Sequence, residues 1–162
     1  MGENQVQFMI RPYVLSDFVR LCEIDRICFP PSMAYSQAEL RYYLAGKRAI
    51  GLVAEISLGI AGFTVGRTEG RGLAHVITLD VLPEARRRGI GTALMDALHR
   101  ELDRLGTKAV VLEVSTENSG AQRFYERLGY QTANLLRGYY SGTGDAWLMI
   151  RRTPAGQDRP RA

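Results

Sequence analysis

The stretch Ile77-Thr78-Leu79-Asp80-Val81-Leu82-Pro83-Glu84-Ala85-Arg86-Arg87-Arg88-Gly89-Ile90-Gly91-Thr92 decides how the remaining chain is read. An apolar run ends in a proline turn. Three arginines follow, then two glycines at the start of a helix-patterned segment. Strand, glycine-rich turn and helix in this order gather free backbone N–H groups where they can hold a phosphate. The arginines place fixed positive charge beside them. The stretch reads as a pyrophosphate cradle.

Two nucleotide cradles do not fit. A P-loop needs a lysine and a hydroxyl after its second glycine; here Gly91 is followed by Thr92 with no lysine. A dinucleotide fingerprint needs three glycines and an acidic residue about twenty positions on, after a second strand; only two glycines are present and the element order is wrong. A plain basic turn is the remaining alternative. Three arginines against a helix N-terminus repel each other and the helix dipole, which costs stability unless an anion sits there.

Working outward, the 162 residues are 46% hydrophobic and 23% charged, which is one domain with a true core. That domain is expected over residues 1–152, with a mobile tail at 153–162 rich in Pro, Gly and Arg. Net charge is +4, concentrated in Arg86 to Arg88 and in Arg151, Arg152, Arg159 and Arg161. The internal cluster is compact, which suits a single anionic ligand better than a nucleic-acid backbone. Cys22 and Cys28 have no CxxC spacing, in keeping with a reducing cytoplasm and ordinary packing roles. Met1 to Gln7 are polar and carry no apolar signal segment. Val6 stands where a myristoylation site needs Ser or Thr. Ala49 to Gly66, the longest apolar-looking stretch, contains Glu55 and four glycines, so it reads as two strands rather than a membrane helix. His75 and His99 lack metal spacing, His99 is placed on a solvated helix face, and no metal is expected.

The patterning gives the element order. A short strand runs from Phe8 to Val14, and Ser16 is read as the cap of a helix over Asp17 to Ile27, stopped by Phe29-Pro30-Pro31. Ser36-Gln37-Ala38-Glu39 is a capping box opening a helix to about Ala45. Ile50 to Ile56 and Ile60 to Gly66 form a hairpin through Leu58-Gly59. After a turn at Thr68 to Gly72 comes the strand Leu73 to Val81. Ile90 to Leu105 is the strongest helix, striped by Leu94, Leu98, Leu102 and Leu105, and Gly106 ends it. Ala109 to Val114 reads as a strand buried on both faces. A helix over Ser119 to Leu128 and two strands, Gln131 to Leu136 and Ala146 to Arg151, complete the chain. The order β, α, α, β, β, β, α, β, α, β, β predicts an α/β (α+β) single domain with a mixed sheet and helices on both faces.

At this point the chain resembles the GNAT superfamily of acyl-CoA-dependent N-acetyltransferases. Arg86-Arg87-Arg88-Gly89-Ile90-Gly91 meets its signature of Arg or Gln, two residues, Gly, one residue, Gly or Ala, and Val81-Leu82-Pro83-Glu84 looks like the usual approach to that loop. The resemblance covers nearly the whole chain, from Ile10-Arg11-Pro12 to Ile150. It implies a mostly antiparallel sheet with a central, splayed parallel strand pair. It also implies that backbone around Arg86, Arg87, Arg88, Gly89, Ile90, Gly91 and Thr92 holds the CoA pyrophosphate. Leu79 and Val81 would pair with the pantetheine arm, and the N–H near Val81 would polarise the thioester carbonyl.

Leu112-Glu113-Val114-Ser115-Thr116-Glu117-Asn118 and Arg123-Phe124-Tyr125-Glu126-Arg127-Leu128-Gly129-Tyr130 are similar to the RimI type, the ribosomal-protein alanine N-acetyltransferases. By that resemblance Glu113 is the general base, Tyr125 the general acid, and Asn118 contacts CoA. The chemistry suits them. An α-amine titrates near ~8, so a carboxylate removes its proton at modest cost, whereas a lysine amine near ~10.4 needs more help. Glu113 interrupts an apolar run, where an unpaired charge is costly. Tyr125 can pack its ring and present its hydroxyl. Asp80 alternates away from Leu79 and Val81 and stands as a rival base facing the cleft or solvent.

Two loops are expected to wall the acceptor site, Phe29 to Ser36 and Leu136 to Asp145, with Phe29, Tyr35, Tyr139 and Tyr140 as substrate-binding aromatics. Tyr139-Tyr140 matches a Tyr-Tyr in the RimI pattern; Ser141 to Gly144 and Pro30-Pro31-Ser32-Met33 depart from it. The expected function is direct acetyl transfer from acetyl-CoA to an amine, a protein N-terminal α-amine in the first instance. A small-molecule amine (polyamine, amino acid or aminoglycoside) is the alternative acceptor, and a non-catalytic acyl-CoA-binding regulatory module is the reading from a different class. The expected partners are acetyl-CoA and the acceptor, with no nucleic acid and no membrane, in a monomer or homodimer.

Overall fold

The protein is described by a computed structural model that covers residues 6–141 and 144–154. Seven strands form one sheet: β1 (Met9–Pro12), β2 (Ala49–Ile56), β3 (Gly59–Gly70), β4 (Leu73–Val81), β5 (Ala109–Ser115), β6 (Gln131–Leu136) and β7 (Ala146–Arg152). Their spatial order is β1-β2-β3-β4-β5-β7-β6. Every neighbouring pair is antiparallel except β4 and β5. Four helices accompany the sheet: α1 (Phe18–Cys28), α2 (Gln37–Leu44), α3 (Ile90–Arg104) and α4 (Ser119–Arg127). The element order and the parallel pair agree with the reading from sequence. No helix among the described residues is long and apolar enough to cross a membrane.

β3 is the middle of the structure. Ile60 to Gly66 are buried without alternation, which requires cover on both faces of the sheet. α3 packs on β2, β3 and β4, while α1 and α2 pack on β2, β3 and β4. A Cβ at Gly66 would lie 2.7 Å from Leu98 Cδ1, so glycine is what lets α3 sit this close. That close seat brings the N-terminus of α3 to the C-terminal end of β4.

Several details correct the sequence reading. β3 runs four residues past Gly66, and the hairpin to β4 turns on Arg71-Gly72, both at positive φ, the two-residue turn whose twist matches antiparallel strands. Ser16 does not cap α1; Asp17 precedes the helix, and its carboxylate accepts the Val14 N–H and two bonds from Arg11. The capping box at Ser36 and Glu39 forms as expected. α3 stops at Arg104, so Leu105 is exposed, and the buried stripe is Ile90, Leu94, Met95, Leu98, His99 and Leu102. His99 is therefore not solvated: its Nε2 lies 2.7 Å from the Tyr130 hydroxyl, and burial lowers its pKa to about 4. β5 is not buried on both faces. Val110, Leu112 and Val114 point into the core while Val111 and Glu113 stay half-buried on the other face. Thr153, placed at sequence level in the tail, is anchored through Lys108 O and Thr107 O. The rest of the tail expectation, and the loop positions 142 and 143, lie outside the described residues.

Candidate active site

The parallel pair separates early. β4 and β5 are paired only at Leu73–Ala109, Ala74–Val110 and His75–Val111, although β4 continues to Val81 and β5 to Ser115. Past His75 the strand edge of β4 is open, and its backbone groups need partners. Side chains supply some of them. The Tyr35 hydroxyl donates to Ile77 O at 3.2 Å, while Arg86 Nε and Cys28 Sγ both donate to Val81 O, at 2.9 and 3.4 Å. Leu79, between these positions, faces the same side by strand alternation and carries no such side-chain partner among the described residues. The gap opens into a cleft of about 1000 Å³.

At one end of the cleft the chain turns from β4 into α3. Pro83–Ala85 forms a single 3-10 turn, Arg87 adopts φ +62° and Gly89 φ +81°, and α3 starts at Ile90 with no side-chain cap. A non-glycine residue in the left-handed region costs on the order of 1 kcal/mol, and such strain gathers at ligand-binding turns. The uncapped helix start leaves its first N–H groups free beside arginines, the arrangement expected of an anion cradle. Arg86, Arg87, Gly89, Ile90, Gly91 and Thr92 line the cleft, and Arg88 does not. Arg86 also folds back onto β4 through Val81 O, so it braces the turn as well as charging it.

At the fork of the two strands, His75 Nε2 lies 2.6 Å from Glu113 Oε2. Glu113 lines the cleft, and Tyr139 lies within hydrogen-bonding reach of it. Burial and then the Glu113 charge push the Tyr139 hydroxyl up, so it stays neutral. Sequence reasoning missed His75. The signal was available only in combination: once β4 and β5 are parallel neighbours, His75 falls opposite Val111, one pleat from Glu113.

Tyr125 lines the opposite wall, its ring edge-on to Phe124 and Tyr130 at 5.2 and 5.7 Å. Burial raises its pKa, and no described residue bonds its hydroxyl. Asn118 begins α4, where its Oδ1 accepts the Ala121 N–H at 3.0 Å, and it too borders the cleft. Phe29, Tyr35, Tyr139 and Tyr140 all line the cleft, as do Leu79 and Val81. Asp80 does not. It is 1% exposed and turned inward against Thr78 and Asp25, facing neither cleft nor solvent. Among the described residues, no group of three or more His, Cys, Asp or Glu is arranged to hold a metal.

The acetyltransferase (GNAT) family model matches residues 18–130, a span that includes the splayed parallel pair and the turn into α3. The chain belongs to the GNAT family. Among GNAT relatives, an uncharacterised N-acetyltransferase of Methanocaldococcus jannaschii is 41% identical over 103 residues, which span 63% of this chain and 65% of that protein. An N-alpha-acetyltransferase of Sulfurisphaera tokodaii is 31% identical over 158 residues, covering 88% of this chain and 92% of the relative. Among solved GNAT structures, the ribosomal-protein-S18-alanine N-acetyltransferase of Escherichia coli superposes with a TM-score of 0.83 at 25% identity, covering 94% and 99% of the two chains. The GNAT assignment makes the protein an acyltransferase and accounts for the cradle and the splay together.

Proposed function

We propose that the protein transfers an acetyl group from acetyl-CoA to the α-amino group of a polypeptide N-terminus. The observation that carries this reading is the division of one cleft into two ends, the cradle at the start of α3 and the His75–Glu113 pair at the fork. A long donor anchored by its pyrophosphate in the cradle can lay its pantetheine along the open edge of β4 at Leu79. Leu79 lies on the fork side of Val81, so the thioester meets the open N–H groups of these two residues, which serve as donors for the developing oxyanion. An amine entering from the fork meets Glu113, which takes its proton directly or through one water, and His75 extends that relay. Tyr125 offers its hydroxyl to the departing thiolate; a neutral tyrosine keeps that hydrogen bond across the working pH range. The relatives named as N-alpha-acetyltransferase and ribosomal-protein alanine N-acetyltransferase support an α-amine acceptor.

The acceptor end also speaks against a polyamine. Phe29, Pro30, Met33, Tyr35 and Tyr139 line the cleft, Tyr35 and Tyr139 near Glu113, and the lining carboxylates are Glu113 and Glu117 rather than a cluster. A cation of two or more amines would leave charge unpaired there. An apolar first side chain next to a single amine fits better. The test is a mass-spectrometric acetylation assay with acetyl-CoA. It offers peptides with a free α-amine, the same peptides with the α-amine blocked but a lysine present, and spermidine. Acetylation confined to the free α-amine supports the reading; preference for spermidine or lysine sinks it.

A further inference from the structure

Asp25 on α1 and Asp80 on β4 are each 1% exposed. Neither belongs to an ion pair among the described residues. Two of their four oxygens have ordinary donors: Thr78 Oγ1 donates to Asp80 Oδ1, and the Tyr35 N–H donates to Asp25 Oδ2 at 2.7 Å. The other two, Asp25 Oδ1 and Asp80 Oδ2, are buried with no protein donor. The two carboxyl groups are themselves hydrogen-bonding neighbours. A single proton between those two oxygens satisfies both, whereas two bare carboxylates would repel in a place water does not reach. Burial raises both groups, so the pair keeps one proton; the Tyr35 N–H donated to Asp25 favours the charge there and leaves Asp80 as the donor. The surrounding groups are Arg86 at the cradle, Cys22, Arg26 and Cys28 on α1, Tyr35 in the loop after it, Glu39 on α2 and Tyr125 on α4. None of them donates to the two oxygens.

Asp25 also grips the loop that follows α1. Its carbonyl accepts the Phe29 N–H at 3.0 Å, and its carboxylate accepts the Tyr35 N–H, so one residue holds both ends of the loop. Inside the loop, Met33 and Ala34 N–H both close on Pro30 O at 2.9 Å. Tyr35 then reaches across to Ile77 O at the fork. We propose that Asp25 and Asp80 are a positioning pair for the acceptor: their shared proton ties α1 to β4 and, through the Tyr35 N–H, sets the loop Phe29–Ser36 over the gap where the amine enters. The pair does not line the cleft and takes no part in the chemistry. The proposal rests on the acceptor-end reading given above.

The pair predicts a split between its two kinds of replacement. Asp80→Ala and Asp25→Ala remove a buried hydrogen bond to a charged group and should raise the KM for an N-terminal peptide on the order of tenfold, with the KM for acetyl-CoA within about twofold of wild type. In Asp80→Asn the carboxamide N–H replaces the acid O–H as donor to Asp25, so the peptide KM should stay within about twofold of wild type. Amide exchange at Tyr35, followed by NMR on 15N-labelled enzyme, reads the same tie without any acceptor present. It should be faster in both alanine variants and unchanged in Asp80→Asn. Exchange that is equal in all four proteins overturns the pair, as does Asp80→Asn behaving like Asp80→Ala. If no peptide is acetylated by the wild type, the acceptor reading fails while the exchange measurement still decides the pair.

Discussion

His75 and Glu113 close the fork of the sheet. Their 2.6 Å contact bridges β4 and β5 one pleat beyond the last backbone pairing between those strands. A carboxylate there is held in one orientation, with its second oxygen left for the cleft. Glu113→Gln keeps the shape and removes the proposed base. Turnover should fall on the order of a hundredfold, while acetyl-CoA affinity by calorimetry changes little. Unchanged turnover would put the base elsewhere. His75→Phe leaves Glu113 without its 2.6 Å partner and should lower turnover on the order of tenfold, with acetyl-CoA affinity by calorimetry little changed.

Gly89 has φ +81°, and nothing lies within 4 Å of where its Cβ would be. The open space is on the cradle. Gly89→Val therefore meets no protein atom; it strains the backbone by about 1–2 kcal/mol and fills the anion's place. Acetyl-CoA affinity should drop on the order of tenfold or more, beyond what the strain alone gives through loss of fold. Calorimetric titration alongside a melting curve separates the two effects, and wild-type affinity would remove the cradle from its assigned role.

Tyr125→Phe deletes a hydroxyl that no described residue bonds. Stability should move by less than about 1 kcal/mol while acetyl transfer slows on the order of tenfold or more. The comparison is a thermal melt against single-turnover acetyl transfer. A stable variant with wild-type transfer would leave the ring with packing alone.

Two buried groups tilt stability with pH in opposite senses. His99 is depressed from 6.5 to about 4 by burial. Its contribution is full above about pH 6.5 and is lost as the pH falls through about 4, a loss of roughly 3 kcal/mol at most. Asp80 is raised by burial, so its contribution is full below about pH 4 and declines as the pH rises through its folded value. Melting temperatures between about pH 4 and 8 should show His99→Gln flattening the acid side and Asp80→Asn flattening the neutral side. Parallel curves for wild type and variant would contradict the burial argument in either case.

The strand–turn–helix at Ile77 to Thr92, the Ser36 capping box and the alternation of helices and strands were all legible, because each depends on residues close in sequence. The same holds for Glu113, which stands out in an apolar run. His75 was not legible, since a lone histidine on a strand means nothing until its neighbouring strand is known. Asp80 was misread for the same reason. Its alternation along β4 shows only that it points away from Leu79 and Val81; that α1 with Asp25 lies beneath it is a matter of packing. His99 looked solvated because the stripe of α3 was drawn through the leucines alone, whereas Tyr130 supplies a buried partner from beyond α4.

The sequence by itself determined the family, the element order and the strand–turn–helix at Ile77 to Thr92, since glycine turns and helix periodicity are local properties. Only the tertiary structure decided which side chains meet. It joined His75 to Glu113 and Asp25 to Asp80, and it laid Tyr35 and Tyr139 at the fork. The His75–Glu113 and Tyr35–Ile77 contacts join residues 38 and 42 apart, and their energies arise from burial, which no local pattern specifies.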